Sequence, residues 1–170
     1  MAHNYSLQKY QSPVGLLYLV AVEDGLVAVV FASKWPLFEA HFPGLQELET
    51  AVLAVCRQQL DEYFAGDRHT FALPLRLLSG TSFQRKAWLA LQTIPYGETR
   101  SYKEQAVAIQ SAKAVRAVGS ANRCNPLSII IPCHRVIASD GSLAGYGGGL
   151  PAKQFLLAHE GEVCRRRSPS

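Results

Sequence analysis

The sequence predicts a mixed α/β protein whose two parts differ in secondary structure. Three runs of β-forming residues, separated by turns, open the chain. A helical pattern follows between Gln46 and Gly66, and after a connection at residues 73–80 the pattern is almost entirely helical. We therefore expect an α/β scaffold domain over residues 1–77 and a mostly helical domain over residues 78–170.

The opening runs predict a three-stranded meander. The runs Tyr5–Gln11, Leu16–Val22 and Leu26–Phe31 are separated by the turns Ser12–Gly15 and Glu23–Gly25. Two successive hairpins place such strands side by side in an antiparallel sheet. No residue pattern typical of a catalytic site occurs in this part of the chain, so we expect it to act as a scaffold.

Composition and charge exclude several classes of protein. The 170 residues are 48% hydrophobic and 18% charged, which is typical of a globular protein and not of a disordered one. No apolar run reaches the roughly 18 residues that a membrane span needs, and the polar start of the chain has no secretory pattern. We expect a cytoplasmic protein with reduced thiols. The net charge of +4 permits a nucleic acid partner without indicating one.

The four cysteines do not form a C-x-x-C pair. Cys56 and Cys124 are expected to be small buried hydrophobic side chains, and Cys164 an exposed thiol near the basic end of the chain. Cys133 stands apart, because it is followed directly by His134 and Arg135.

Two helices of the second part are predicted to pack as a pair. Ser101 and Glu104 form the capping box of the first helix, and the second begins at Ser111. Only Gln110 and Ser111 separate the two, as in a helix-turn-helix. An ordinary αα-corner fits as well, and the pattern alone favours the corner by about two to one.

The second helix of the pair has a basic face with small neighbours. Lys113, Arg116, Ser120 and Arg123 share one face, and alanines and a glycine fill the spaces between them. Such a face allows the backbone to approach a polyanion closely. A solvated charged face beside an alanine-rich core face explains the pattern equally well.

The segment around Cys133 is predicted to be a buried strand, Ser128–Ile131, that ends in reactive side chains. A thiolate is the nucleophilic form of cysteine, and a nearby base raises its population. Strand geometry points Cys133 and His134 to opposite faces, so their cooperation needs a turn or a bridging water. Glu160, on a final helix predicted to begin near Pro151 and stop at Gly161, could orient the imidazole.

Three kinds of chemistry remain open for these residues. Zinc ligation lacks a second ligand pair and has a prior of roughly one in twenty. A Cys–His hydrolase dyad and a stoichiometric alkyl acceptor both fit. A glycine-rich loop at Gly145–Gly149 is expected to form the flexible edge of a pocket.

The residues from Thr81 to Gly161 resemble the O6-alkylguanine-DNA alkyltransferases, also called methylated-DNA–protein-cysteine methyltransferases. The resemblance rests on the "PCHR" motif at Cys133, the upstream "NP", the "GYGGG" loop and the terminal "LLAHEG", which occur together and in order. It implies a ribonuclease-H-like N-terminal α/β domain and a C-terminal domain with a winged-helix-like helix-turn-helix.

The resemblance implies DNA repair by direct reversal of damage. An alkyl group on O6-alkylguanine, and on O4-alkylthymine, in double-stranded DNA would move irreversibly to the protein's own cysteine, in a single turnover. No cofactor and no metal are expected, and the protein would be a monomer, with cooperative assembly on DNA left open. The alternatives are a damage-recognition protein without chemistry and a transcription regulator switched by cysteine alkylation.

The resemblance also assigns roles to residues. Cys133 would accept the alkyl group, with a water-linked relay through His134 and Glu160, a hinge at Asn125 and proton donation by Tyr102. DNA contacts would come from a finger at Arg116 and from Ser101, Ala117, Ala121 and Arg123. The substrate pocket would be formed by Tyr146, Gly147, Gly148, Arg135, Val136 and Ser128.

Overall fold

The computed structural model describes residues 2–167, and the chain divides after Leu78 into two compact units. The first unit contains the predicted meander, with a short fourth strand that pairs parallel with the first. The order across the sheet is β3-β2-β1-β4. The strands are β1 (Ser6–Ser12), β2 (Gly15–Val22), β3 (Gly25–Phe31) and β4 (Gln46–Glu47).

Two helices complete the first unit, the single turn α1 (Trp35–Phe38) and the longer α2 (Ala51–Ala65). The prediction that the long helix begins at Gln46 is wrong, because the backbone of Gln46–Glu47 pairs with β1. The helix starts instead where the Thr50 hydroxyl accepts the Leu53 N–H at 3.2 Å. It ends at the predicted Gly66, whose φ of 84° suits glycine.

The sheet of the first unit is buried on both faces. Val20, Val22 and Val30 pack with Trp35 and Phe42 on one face. Successive strand residues point to opposite faces, so Leu17 and Leu19 of β2 face the other way, where α2 contacts the sheet. This core is held almost entirely by apolar contacts.

The second unit is mostly helical, as predicted. Its helices α3, α4 and α5 pack on one another, and its two short strands pair in parallel. A capping box between Ser101 and Glu104 begins α4, as predicted. The elements are α3 (Ser82–Leu91), β5 (Arg100–Ser101), α4 (Tyr102–Ala108), α5 (Val115–Arg123), β6 (Val136–Ile137) and α6 (Leu150–Arg167). The mixed α/β fold class is confirmed. Within residues 2–167, no helix combines the length and hydropathy needed to cross a membrane.

Helix α5 is shorter than predicted. It begins at Val115 and not at Ser111, because residues 109–114 form a longer connection in which Gln110 has a φ of 59°. Lys113 therefore precedes the helix, while Arg116, Ser120 and Arg123 lie on it.

The predicted strand Ser128–Ile131 is a set of tight turns. The Asn125 side chain accepts the Leu127 N–H, the Ile131 N–H donates to the Leu127 carbonyl, and Ile129 has a φ of 71°. The β-branched side chains are buried one by one without forming a strand. The sequence pattern records their burial and not their backbone conformation.

The predicted stop of the last helix at Gly161 is wrong, and α6 continues to Arg167. A glycine inside a helix costs roughly 1 kcal/mol relative to alanine. The buried side chains of Glu160 and Val163, on either side of Gly161, offset that cost by anchoring both turns.

Candidate active site

Cys133 begins a single 3-10 turn, Cys133–Arg135, which we call the thiol turn. The thiol is almost completely buried, with 7% of the residue exposed, and the Cys133 N–H donates to the Ile131 carbonyl at 2.8 Å. A strand would have pointed neighbouring side chains to opposite faces. The 3-10 turn therefore does not impose that alternation on Cys133 and His134.

Asn125 connects the end of α5 to the thiol turn. Its Nδ2 donates to the Ile131 carbonyl at 2.8 Å and to the Cys133 sulfur at 3.3 Å, while its Oδ1 accepts the Leu127 N–H at 2.9 Å. The amide is buried, so these bonds are not exchanged with solvent. A donor directed at sulfur favours the thiolate over the thiol.

Opposing influences act on the Cys133 thiol. Burial raises its pKa, while the hydrogen bond from Asn125 and the positive charge of Lys153 act to lower it. Cys56 is buried without such partners, and burial raises its pKa to about 12. Two equally hidden sulfurs thus lie in electrostatically different places.

Glu160 is the centre of a buried hydrogen-bond network. It interacts with His134 Nε2 at 2.7 Å and accepts Arg135 Nε at 2.8 Å, Arg135 Nη2 at 3.0 Å and the Gly97 N–H at 3.2 Å. Burial acts to raise the carboxyl pKa, but the hydrogen bonds from His134 and Arg135 and the charge of Arg135 outweigh it. The pKa of Glu160 therefore lies well below its ordinary value of 4.5.

His134 is neutral at physiological pH. Complete burial lowers its pKa, and Arg135 already supplies the positive charge beside Glu160. Because Glu160 only accepts, the 2.7 Å contact assigns the ring proton to Nε2. The Nδ1 atom is then an acceptor, buried and without a hydrogen bond to any protein atom of residues 2–167. A neutral imidazole with a free acceptor nitrogen is suited to take a proton.

A second polar group lies at the start of α4. The Tyr102 hydroxyl donates to the Ala144 carbonyl at 3.1 Å. The Lys153 ammonium donates to the same carbonyl at 2.7 Å and approaches the Tyr102 oxygen at 3.3 Å. Burial raises the pKa of Tyr102 and lowers that of Lys153.

Sequence reasoning missed Lys153, although it left a signal. The buried face of α6 carries Lys153, Leu156, Glu160 and Val163 at spacings of three and four residues. Two opposite charges on an otherwise apolar helix face more often belong to a functional site than to a solvated surface.

The implied pocket residues lie in different environments. Tyr146 is buried, and its ring stands 6.4 Å from the His134 ring, edge to face. Ser128 and Val136 are also buried, while Gly147 and Gly148 are partly exposed in the loop before α6. The Arg135 guanidinium lies against Glu160, donates to the Ile94 carbonyl at 2.8 Å and stands over the Tyr96 ring.

Three sequence-based placements need correction. Ala121 is buried among apolar side chains, so its methyl group does not reach the exposed face of α5. Cys124 is exposed and not buried, because it follows the last turn of α5. Cys164 is half-buried within α6, and its sulfur lies against the backbone of Tyr96 and Gly97.

A cavity of about 390 Å³ lies beside these groups. Both helices of the pair and the loop before α6 contribute to it. The lining residues include Tyr102, Arg116, Gly119, Arg123 and Gly145. Of the implied DNA contacts, Arg116 and Arg123 face this cavity, Ala117 is exposed, and Ser101 caps α4. Residues 2–167 contain no cluster of three His, Cys, Asp or Glu side chains able to hold a metal ion.

The fold and the site together define a two-domain protein with a buried cysteine in a charged, hydrogen-bonded environment. Residues 82–162 match the family described as 6-O-methylguanine DNA methyltransferase, DNA binding domain. Residues 6–77 match the ribonuclease-like domain of the same family. The chain therefore belongs to the 6-O-methylguanine DNA methyltransferase family.

Individual relatives agree with this membership. The methylated-DNA–protein-cysteine methyltransferase of Mycolicibacterium paratuberculosis is 48% identical over 159 residues, covering 94% of this chain and 92% of the relative. The constitutive enzyme of Bacillus subtilis is 46% identical over 149 residues, covering 86% and 90%. A crystal structure of Mycobacterium tuberculosis OGT in complex with DNA matches 94% of each chain, with 40% identity and a TM-score of 0.82.

Proposed function

We propose that this protein repairs double-stranded DNA by transferring the alkyl group of O6-alkylguanine, and of O4-alkylthymine, to Cys133. The observation that carries the proposal is the position of Cys133. Its buried sulfur accepts a hydrogen bond from Asn125, and the residue that follows it in the chain, His134, is neutral and fixed by Glu160. A buried cysteine that served only as packing would have no need of these partners.

The cavity beside Tyr102 is proposed to receive a flipped nucleotide. The reacting carbon of a paired guanine is shielded within the duplex, and extrusion costs a few kcal/mol, less for a poorly paired base. Arg116 projects from α5 and would fill the space left in the stack. Arg123 and the exposed Ala117 surface would contact the backbone, where binding depends on phosphate charge and not on sequence.

The transfer is proposed to begin with removal of the thiol proton. The proton would move through a water to His134 Nδ1, and the Glu160 carboxylate would stabilise the imidazolium that forms. The sulfur electron pair then forms a bond to the alkyl carbon as the carbon–O6 bond breaks. That bonding pair leaves with the guanine.

Departure of the guanine requires a proton. Tyr102 is proposed to donate it, with the Lys153 ammonium, 3.3 Å from the Tyr102 oxygen, stabilising the phenolate. The product at Cys133 is a thioether, which no group of the site can cleave. Each copy of the chain would therefore act once, in the reducing cytoplasm that keeps its thiol available.

A stoichiometry experiment tests the proposal. A duplex that carries one O6-methylguanine is mixed at about tenfold excess with the protein, and the remaining lesions are counted by nucleoside analysis. We expect one guanine restored for each protein molecule, and no further repair with time. Tight binding without any loss of O6-methylguanine would contradict the proposal and favour a damage-recognition protein without chemistry.

A further inference from the structure

Two buried amides join the helices of the pair. Gln105 of α4 and Asn122 of α5 are 3% and 6% exposed. Gln105 Nε2 donates to Asn122 Oδ1 at 2.9 Å, and Asn122 Nδ2 donates to Gln105 Oε1 at 2.7 Å. Gln105 Nε2 also donates to the Ala87 carbonyl of α3 at 3.2 Å. We call this reciprocal pair the amide clasp.

The surroundings of the amide clasp are apolar. The cluster around it is formed by Ala87, Ala106, Ile109, Val118 and Ala121. Small apolar side chains pack in several nearly equivalent registers, because dispersion contacts have little directionality. Two reciprocal hydrogen bonds between side-chain amides form in only one register of the helices. A displaced clasp would leave buried donors and acceptors unpaired. Buried polar residues fix helix register in coiled coils for the same reason.

The amide clasp lies one helical turn from a cavity-lining residue on each helix. Tyr102 precedes Gln105 by three residues, and Gly119 precedes Asn122 by three residues. A Cβ atom on Gly119 would stand 3.9 Å from the Tyr102 ring, an ordinary van der Waals distance, so the ring lies next to this turn of α5. Tyr102 and Gly119 both line the cavity of about 390 Å³, together with Arg116.

We infer that Gln105 and Asn122 are positioning residues for duplex repair. The amide clasp fixes α5 against α4, and thereby sets Arg116 and the Tyr102 hydroxyl at the separation that a flipped nucleotide requires. This inference rests on the proposed function. It assigns the clasp no contact with the DNA or with the reacting atoms.

The test compares variants that keep or remove the clasp. The double variant Gln105→Leu/Asn122→Leu removes both amides together, so neither amide is left buried without its partner, and it should fold with a Tm within about 5 °C of the parent. The swapped variant Gln105→Asn/Asn122→Gln retains both amides. Gln59→Leu is the matched control, since Gln59 is a buried amide of the first unit that bonds the Ala72 backbone.

Two rates are measured for each folded variant, the repair of duplex O6-methylguanine and the reaction with free O6-methylguanine base. For the double leucine variant we expect the duplex rate to fall about tenfold or more and the free-base rate to change less than about twofold. The swapped variant should recover most of the duplex rate, and Gln59→Leu should leave the ratio of the two rates unchanged.

Other results have distinct meanings. A double leucine variant with the parental duplex rate would overturn the inference, and so would an equal loss of both rates, since the clasp would then act on the thiol site or on the fold as a whole. If the parent protein restores no guanine, the proposed function itself fails, whatever the variants do.

Discussion

The two units of the chain bury different kinds of core. In the first unit the buried side chains are almost all apolar, and the polar exceptions are Ser6, Ser12 and Gln59. Within the described residues, the second unit buries four acidic or basic side chains in addition to its amides. They are His134, Arg135, Lys153 and Glu160.

The contrast is sharpest at the two buried cysteines. Cys56 packs in the first unit, and burial raises its pKa to about 12, so it is a small hydrophobic side chain. Cys133 is equally hidden but has a donor, a nearby cation and a neutral histidine. Burial alone makes a thiol inert, whereas burial among fixed polar groups prepares it for reaction.

The largest expected effect comes from exchanging the sulfur of Cys133 for oxygen. Cys133→Ser should abolish alkyl transfer, because a serine hydroxyl ionises too weakly to act as a nucleophile here, and should leave duplex affinity within about twofold. Repair of O6-methylguanine and binding to the same duplex are measured in parallel. Cys56→Ala should retain both properties. Loss of binding in Cys133→Ser would identify Cys133 as a structural residue.

The second largest loss of alkyl transfer is expected when the Glu160 carboxylate is replaced. Glu160→Gln should slow transfer about 100-fold, since a neutral amide cannot stabilise a protonated His134. It should also lower the free energy of unfolding by about 3–5 kcal/mol, because Arg135 would lose its buried partner. The rate between pH 6 and pH 9 and the urea unfolding curve measure the two losses. Glu162→Gln, which alters an exposed carboxylate on the same helix, is the control.

The pH dependence of stability gives an independent readout of the same residue. The pKa of Glu160 is lower in the folded protein than its ordinary value of 4.5, so its stabilisation is complete above that pH and is lost as the pH falls below it. Glu160→Gln should therefore show a shallower loss of stability below pH 4.5. Parallel curves for both proteins would contradict an ionised Glu160.

Arg116→Ala should affect duplex repair more than the chemistry itself. We expect the duplex rate to fall about 30-fold and the rate with free O6-methylguanine base to stay within about twofold, since only the duplex has a stack to fill. The two rates are compared with those of Arg57→Ala, which removes an arginine from the first unit. Equal losses on both substrates would contradict the finger role.

The smallest of these effects is expected at Lys153. Its positive charge lowers the pKa of the Cys133 thiol, so Lys153→Met should raise that pKa and shift the pH–rate profile toward higher pH. At pH 7 the rate should fall about tenfold and partly recover by pH 9. Lys103→Met, which changes an exposed lysine of α4, is the control and should leave the pH–rate profile unchanged.

Much of the fold could be predicted because its signals are local. The hairpin turns of the meander, Gly66 at the end of α2 and the capping box of α4 each depend on a few adjacent residues. Ser128–Ile131 was misassigned because burial of β-branched residues resembles a strand, while its turns depend on the side chain of Asn125. The stop at Gly161 was wrong because contacts on both sides of the glycine maintain α6.

Some residues of the site could be predicted from the sequence, and others could not. The motif around Cys133 pointed to His134 and Glu160, whose side chains lie 2.7 Å apart in the structure. Lys153 was missed because its role depends on the contact with Tyr102, which is 51 residues away along the chain. The two hydrogen bonds from Arg135 to Glu160 could not be predicted, because they depend on how the thiol turn packs against α6.

One measurement decides whether Cys133, and not another thiol, is the acceptor. The protein is mixed with an equimolar duplex that carries one O6-methylguanine. The intact mass of the protein is then measured, and the peptides that contain its four cysteines are mapped. We expect one added methyl group, located on the Cys133 peptide, with the Cys56 peptide unchanged. A methyl group on Cys56, Cys124 or Cys164, or an unchanged mass after tight binding, would contradict this expectation.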